Sequence, residues 1–79
     1  MPVSAYILIQ TEVGKAASVA ARIRQLSGVM AADDVTGPYD VVVRAEVDSM
    51  SDLGRNVVGP MQSIEGITKT LTCPVVDLD

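Results

Sequence analysis

The chain has no histidine, tryptophan or phenylalanine, and a single cysteine, Cys73. Those absences remove the residues of a zinc site, an iron–sulfur cluster and a Ser–His or Cys–His nucleophile pair. One thiol forms no internal disulfide, a composition that fits a reducing cytoplasm. Cations are also scarce: six Lys and Arg against ten Asp and Glu give a formal charge of −4. Phosphate contacts need the opposite, a basic surface. No apolar run approaches the ~18 residues of a membrane span. Residues 1–11 hold no Lys or Arg to begin a signal peptide. Asp33 and Asp34 are adjacent, but on a strand they point to opposite faces and do not converge on a cation. The expectation is a cytoplasmic protein with no direct contact to nucleic acid or membrane, no metal and no cofactor.

Aliphatic residues are what the chain has in excess. Of 79 residues, 48% are hydrophobic but only 3% aromatic (Tyr6 and Tyr39). A chain this short forms one domain, residues 1–79, and buries only about 60% of the surface its unfolded form exposes. That is more Val, Ala, Ile, Leu and Met than so small a core can hold. The surplus points to an interface, and therefore to an oligomer.

Periodicity places six elements. Residues 4–10 read as a strand with Ala5, Ile7 and Ile9 on one face and Tyr6 and Leu8 on the other. A strand apolar on both faces is central in its sheet or is covered twice. Residues 15–26 read as a helix, with Ala16, Val19, Ala20, Ile23 and Leu26 in one stripe and Gly28 just beyond. Residues 29–36 form a more polar strand, and the turn signal Thr36-Gly37-Pro38-Tyr39-Asp40 follows. Residues 40–47 alternate cleanly, with Val41, Val43, Ala45 and Val47 opposite Val42, Arg44 and Glu46. Asp48 or Ser49 caps a second helix, residues 50–63, with Leu53, Val57, Met61 and Ile64 inward. Pro60 removes a backbone donor there, so a kink is expected over residues 56–60. Residues 67–73 form the last strand, before Pro74 and the tail Val75-Val76-Asp77-Leu78-Asp79. Leu26-Ser27-Gly28-Val29 and Ile64-Glu65-Gly66-Ile67 repeat one pattern at the two helix-to-strand junctions.

The order βαββαβ, with right-handed crossovers, predicts an α+β ferredoxin-like split fold of the dimeric α+β barrel type. Its four-stranded antiparallel sheet carries both helices on one face. The other face is left bare, and pairing two such faces is the simplest remedy. This fold hosts many functions. An RNA-recognition module stacks bases on aromatics that Val41-Val42-Val43-Arg44 lacks. An acylphosphatase-like enzyme needs a basic cradle where Thr11-Glu12-Val13-Gly14 is acidic.

The stretch Asp34-Val35-Thr36-Gly37-Pro38-Tyr39-Asp40-Val41-Val42-Val43 resembles the Gly-x-Tyr-Asp turn of the effector domain of the Lrp/AsnC transcriptional regulators. Ser63-Ile64-Glu65-Gly66-Ile67-Thr68-Lys69-Thr70-Leu71-Thr72 is similar to that family's closing motif, Ile-x-Gly-Val-x-x-Thr-x-Thr. The resemblance covers nearly the whole chain. It implies a stand-alone ligand-sensing and oligomerisation module without a DNA-binding domain, acting in transcription regulation through partners such as full-length regulators. It further implies an amino acid or similar small zwitterion as ligand, and a homodimer with a higher ring of dimers.

Five residues are the candidate ligand site: Gly37, Tyr39, Asp40, Thr68 and Thr70. In the plain reading Gly37 and Pro38 turn a hairpin, Asp40 caps it and Tyr39 is a half-buried rim residue. On either reading Gly37 is expected at positive φ; in the functional reading the tight glycine turn lets backbone N–H groups approach a ligand carboxylate. Asp40 then faces the ammonium and Tyr39 adds a hydroxyl. Thr68, Thr70 and Thr72 alternate on one strand face, either as ordinary β-branched strand residues or, for Thr68 and Thr70, as ligand contacts from a neighbouring subunit. No residue is a catalytic candidate. Cys73 reads as a small buried strand-end residue; Arg22, Arg24 and Arg55 read as solvated helix charges, with pairing of Arg24 or Arg44 to Asp33 or Asp34 across an interface as the alternative. Two alternatives remain open: a ligand-free interaction module that assembles with full-length regulators, and a small cofactor-free α+β barrel enzyme.

Overall fold

The two-residue period of the strands becomes two chemically different sheet faces. In the computed structural model, which describes residues 2–76, β1 spans Val3–Thr11. Ala5, Ile7 and Ile9 on it are fully buried, whereas Tyr6 between them is 41% exposed. β3, Val41–Val47, buries Val41, Val43 and Ala45 on the same side. β2 is Val29–Asp34 and β4 is Ile67–Pro74. Asp77, Leu78 and Asp79 of the expected tail lie outside the described residues.

All neighbouring strands are antiparallel, in the order β2-β3-β1-β4. Each β-to-β crossover therefore skips one strand, as the split βαβ arrangement requires. The two helices cover one face. From α1, Ala16–Ile23, come Val19, Ala20 and Ile23; from the second helix come Leu53, Val57 and Met61, joined by Ile64 just beyond it. These are the stripes read from the sequence, and they close the core over Ile7, Ile9, Val41 and Val43.

α1 ends three residues before the expected position. Its last turn tightens to i→i+3 bonds, Gln25 N–H to Arg22 C=O and Leu26 N–H to Ile23 C=O. The chain then reaches Gly28 at φ 91°, and its counterpart Gly66 at φ 103°, so the repeated pattern at the two junctions is one backbone device used twice. β2 stops at Asp34 rather than residue 36 because the chain there leaves β3 for the turn.

The second helix, α2, runs through Met50–Asp52, Leu53–Val58 and Gly59–Met61. Ser49 is its cap, accepting the Asp52 N–H at 3.1 Å. In place of a kink the middle segment is a π-helix. Pro60 has no N–H to offer, and the Gly59 N–H instead reaches back five residues to the Gly54 C=O.

Candidate functional site

The turn between β2 and β3 is built against the far end of β1. The Val35 N–H donates to the Asp40 C=O at 2.9 Å, closing a loop of Thr36, Gly37, Pro38 and Tyr39. The Asp40 N–H donates to the Ile9 C=O at 2.8 Å. Its carboxylate reaches further along the same strand, where Oδ2 accepts the Thr11 N–H at 2.8 Å and the Thr11 hydroxyl at 3.4 Å. Gln10 holds the crown of the loop, donating from Nε2 to the Pro38 C=O at 3.0 Å. Asp40 thus closes its own turn through its backbone and, through its carboxylate, ties that turn to β1.

This leaves a defined set of free groups. Among the described residues the N–H groups of Thr36, Gly37 and Tyr39 meet no acceptor, and Asp40 Oδ1 accepts no hydrogen bond. The loop carries unpaired donors, which suit an anion, and one unpaired carboxylate oxygen, which suits a cation, within five consecutive residues. Tyr39 and Asp40 are half-buried and Gly37 is exposed. Gly37 differs from expectation in its backbone: positive φ occurs only at Gly14, Gly28 and Gly66 among the described residues. No Cβ clash is present there either, since nothing lies within 4 Å of a Cβ built on Gly37.

β4 brings the threonines to the same end of β1. A register shift at Gln10/Thr11 marks the meeting point, and the Thr68 hydroxyl donates to the Gln10 C=O at 3.2 Å. Gln10 is therefore the residue that joins Thr68 to the β2–β3 loop. Thr70 pairs with Ile9 and Thr72 with Ile7, so both stand on the helix-covered side of the sheet; Thr70 is half-buried and Thr72 exposed. Cys73 is exposed, not buried, because β4 is an edge strand and Cys73 lies opposite Tyr6 on the open face. The supporting residues Gln10 and Thr11 escaped the sequence reading. Nothing near them in the chain marks them, and only the pairing of β1 with strands about thirty and sixty residues away gives them their role.

The open face is the second candidate surface. Leu71, Leu8 and Val42 lie side by side across three strands. Beside that apolar row runs Cys73, Tyr6 and Arg44. Arg44 stacks 5.2 Å from the Tyr6 ring centroid, donates to the Tyr6 hydroxyl and lies 3.6 Å from Glu46. No helix among the described residues is long and apolar enough to cross a membrane.

A sequence model of the Lrp/AsnC ligand-binding domain matches residues 4–77. The HTH-type transcriptional regulator FL11 of Pyrococcus abyssi is 33% identical over 64 residues, which are 78% of this chain and 42% of FL11. The chain thus spans less than half the length of that relative. TTHA0845 from Thermus thermophilus superposes with a TM-score of 0.89 at 26% identity, over 98% of this chain and 96% of its own. The regulator NMB0573 of Neisseria meningitidis, solved as a complex with L-methionine, shares the fold, with a TM-score of 0.80 at 20% identity over 96% of this chain and 51% of its own. With its split βαββαβ fold and a family match over nearly its whole length, the chain belongs to the Lrp/AsnC ligand-binding domain family.

Proposed function

We propose that this chain senses an amino acid or similar small zwitterion and assembles into homo-oligomers, serving transcription regulation in the cytoplasm without catalysis and without binding DNA itself. The observation that carries the ligand is the β2–β3 loop, whose Thr36, Gly37 and Tyr39 N–H groups and Asp40 Oδ1 all lack a hydrogen-bond partner among the described residues. A carboxylate suits the first and an ammonium the second. Thr68 adds a hydroxyl at the same end of the sheet, and Thr70 is the contact offered to a site shared with a neighbouring copy. The L-methionine held by NMB0573 supports the ligand class. Full-length regulators of the same family are the natural protein partners.

A thermal-shift screen with the twenty amino acids, L-methionine included, tests this reading. A ligand at about a hundred times its Kd adds about 2.7 kcal/mol to the native state, roughly 10–20 °C in a domain this small. A folded protein that none of them shifts is the ligand-free interaction module instead.

Assembly has its own observation, the apolar row Leu71-Leu8-Val42 on the open sheet face. Two such faces packed together supply the cover that the composition calls for. Leu8→Glu puts a carboxylate in the middle of that row and is expected to weaken the dimer at least about tenfold, with secondary structure unchanged by circular dichroism. Light scattering of both proteins at micromolar concentration checks it; equal masses would remove the sheet face from the interface.

A further inference from the structure

Arg24 comes off the end of α1 and is oriented by one bond, from its Nε to the Ala32 C=O at 2.9 Å. That carbonyl can accept because β2 is an edge strand, with β3 as its one neighbour in the sheet. A strand residue sends its N–H and its C=O to the same side, so the Ala32 N–H faces the open edge as well. The terminal guanidinium nitrogens of Arg24 are left over. Among the described residues they pair with no carboxylate, and Asp33 pairs with no cation. Yet both residues border one hollow of about 350 Å³, whose other walls are Val29, Met30, Ala31 and Ala32. They reach it from opposite sides of the sheet. Asp33 pairs with Val42 of the open face, whereas Arg24 belongs to a helix on the covered face.

We propose that this hollow binds a small zwitterion with an aliphatic side chain, at a site separate from the β2–β3 loop. The ligand carboxylate meets the Arg24 fork and the Ala32 N–H, and its ammonium meets Asp33. A guanidinium fixed through Nε presents its two remaining nitrogens in the plane that a carboxylate matches. The ligand side chain lies against Val29 and Met30. A register slip between Val29 and Ala31 leaves Met30 without a partner on β3 and 64% exposed. Its unbranched thioether chain adapts to the shape of what it covers. The volume falls at the small end of the roughly 300–1,000 Å³ of small-molecule sites.

Charge selects the ligand class. The chain carries −4 overall, so a simple anion is repelled at long range, whereas a zwitterion has no net charge. A simple amine would leave the Arg24 fork unused. Only a molecule that carries both charges satisfies the two groups that the strand edge keeps apart.

Calorimetry with L-leucine as the probe tests the site on wild type, Arg24→Gln, Asp33→Asn and Asp40→Asn. Arg24→Gln keeps a donor for the Ala32 C=O and loses the charge. Asp33→Asn keeps an exposed polar side chain and loses its charge. Both are expected to match wild type by circular dichroism and to bind L-leucine about ten- to a hundredfold more weakly. Isocaproate, which lacks the ammonium, and isoamylamine, which lacks the carboxylate, are expected to bind wild type at least about tenfold more weakly than L-leucine. No binding of L-leucine to wild type overturns the proposal, as does unchanged affinity in both edge variants. The loop reading is then tested by the other amino acids of the thermal-shift screen. Binding lost in Asp40→Asn and kept in both edge variants belongs to the loop, upholding that site and overturning this one. Equal binding of isocaproate and L-leucine removes Asp33 from the site and overturns the zwitterion as ligand class.

Discussion

Asp40→Asn is expected to keep the fold and to weaken amino-acid binding by about ten- to a hundredfold. The reason lies in the division of labour between the two carboxylate oxygens. Oδ2 serves the chain itself, accepting the Thr11 N–H at 2.8 Å. Oδ1 is free to face an ammonium. Asparagine retains an oxygen for the Thr11 N–H and loses the charge, so stability falls by less than about 1 kcal/mol. On the proposed reading, the loss is the charge-assisted bond to a ligand ammonium, worth about 1.5–3 kcal/mol. Asp40→Ala removes both. It leaves the half-buried Thr11 N–H without an acceptor, which costs about 1–3 kcal/mol, or roughly 5–20 °C in melting temperature. Calorimetry with the amino acid that gives the largest thermal shift, together with melting curves for wild type and both variants, separates the roles. Unchanged affinity in Asp40→Asn would make Asp40 a structural tie alone.

Gly28→Ala is expected to be the most damaging single change at a glycine. Gly28 sits at φ 91°, where a side chain is strained. A Cβ there would lie 2.8 Å from Val47 Cγ1, 3.3 Å from the Glu46 C=O and 3.4 Å from Val57 Cγ2. The neighbours cannot withdraw cheaply. Val57 is fully buried, and the Glu46 N–H already donates to the Gly28 C=O at 2.8 Å. Strain and overpacking together cost about 2–5 kcal/mol, a large share of the roughly 4–12 kcal/mol such a domain has in hand. Two other glycines separate the contributions. Gly14, at φ 81° with open space around it, should pay the backbone term alone, about 1 kcal/mol. Gly37→Ala has neither strain nor a clash and should be neutral or slightly stabilising. Melting temperatures in any other order would show that the crowding at Gly28 relaxes more easily than its neighbours allow.

Much of the architecture is local information, and the sequence carries it. Ala5, Ile7 and Ile9 alternate with Tyr6 and Leu8, and the stripe from Ala16 through Val19 and Ile23 repeats at helical spacing. Each pattern names both an element and its buried face, since period and face are properties of a short segment. The two Gly junctions are legible for the same reason: a left-handed residue between helix and strand has few solutions besides glycine. The resemblance to the Lrp/AsnC effector domain rests on such short motifs, and it holds over residues 4–77.

What needed the tertiary structure is whatever depends on partners distant in the chain. Pro60 foretold a disturbance in α2, and the folded chain takes it up as a π-helix over Leu53–Val58 with Leu53, Val57 and Met61 still buried. Gly37 could be given any φ from its neighbours; the bonds from Asp40 to Ile9 and Thr11 and from Gln10 to Pro38 put the loop in an ordinary one. The same bonds add to Asp40's closure of its own turn a carboxylate tie to β1 with one oxygen left over. Cys73, apolar by type, is exposed because sheet order made β4 an edge. Period and propensity are set by neighbours in sequence, whereas a hydrogen bond across some thirty residues exists only once the strands have paired.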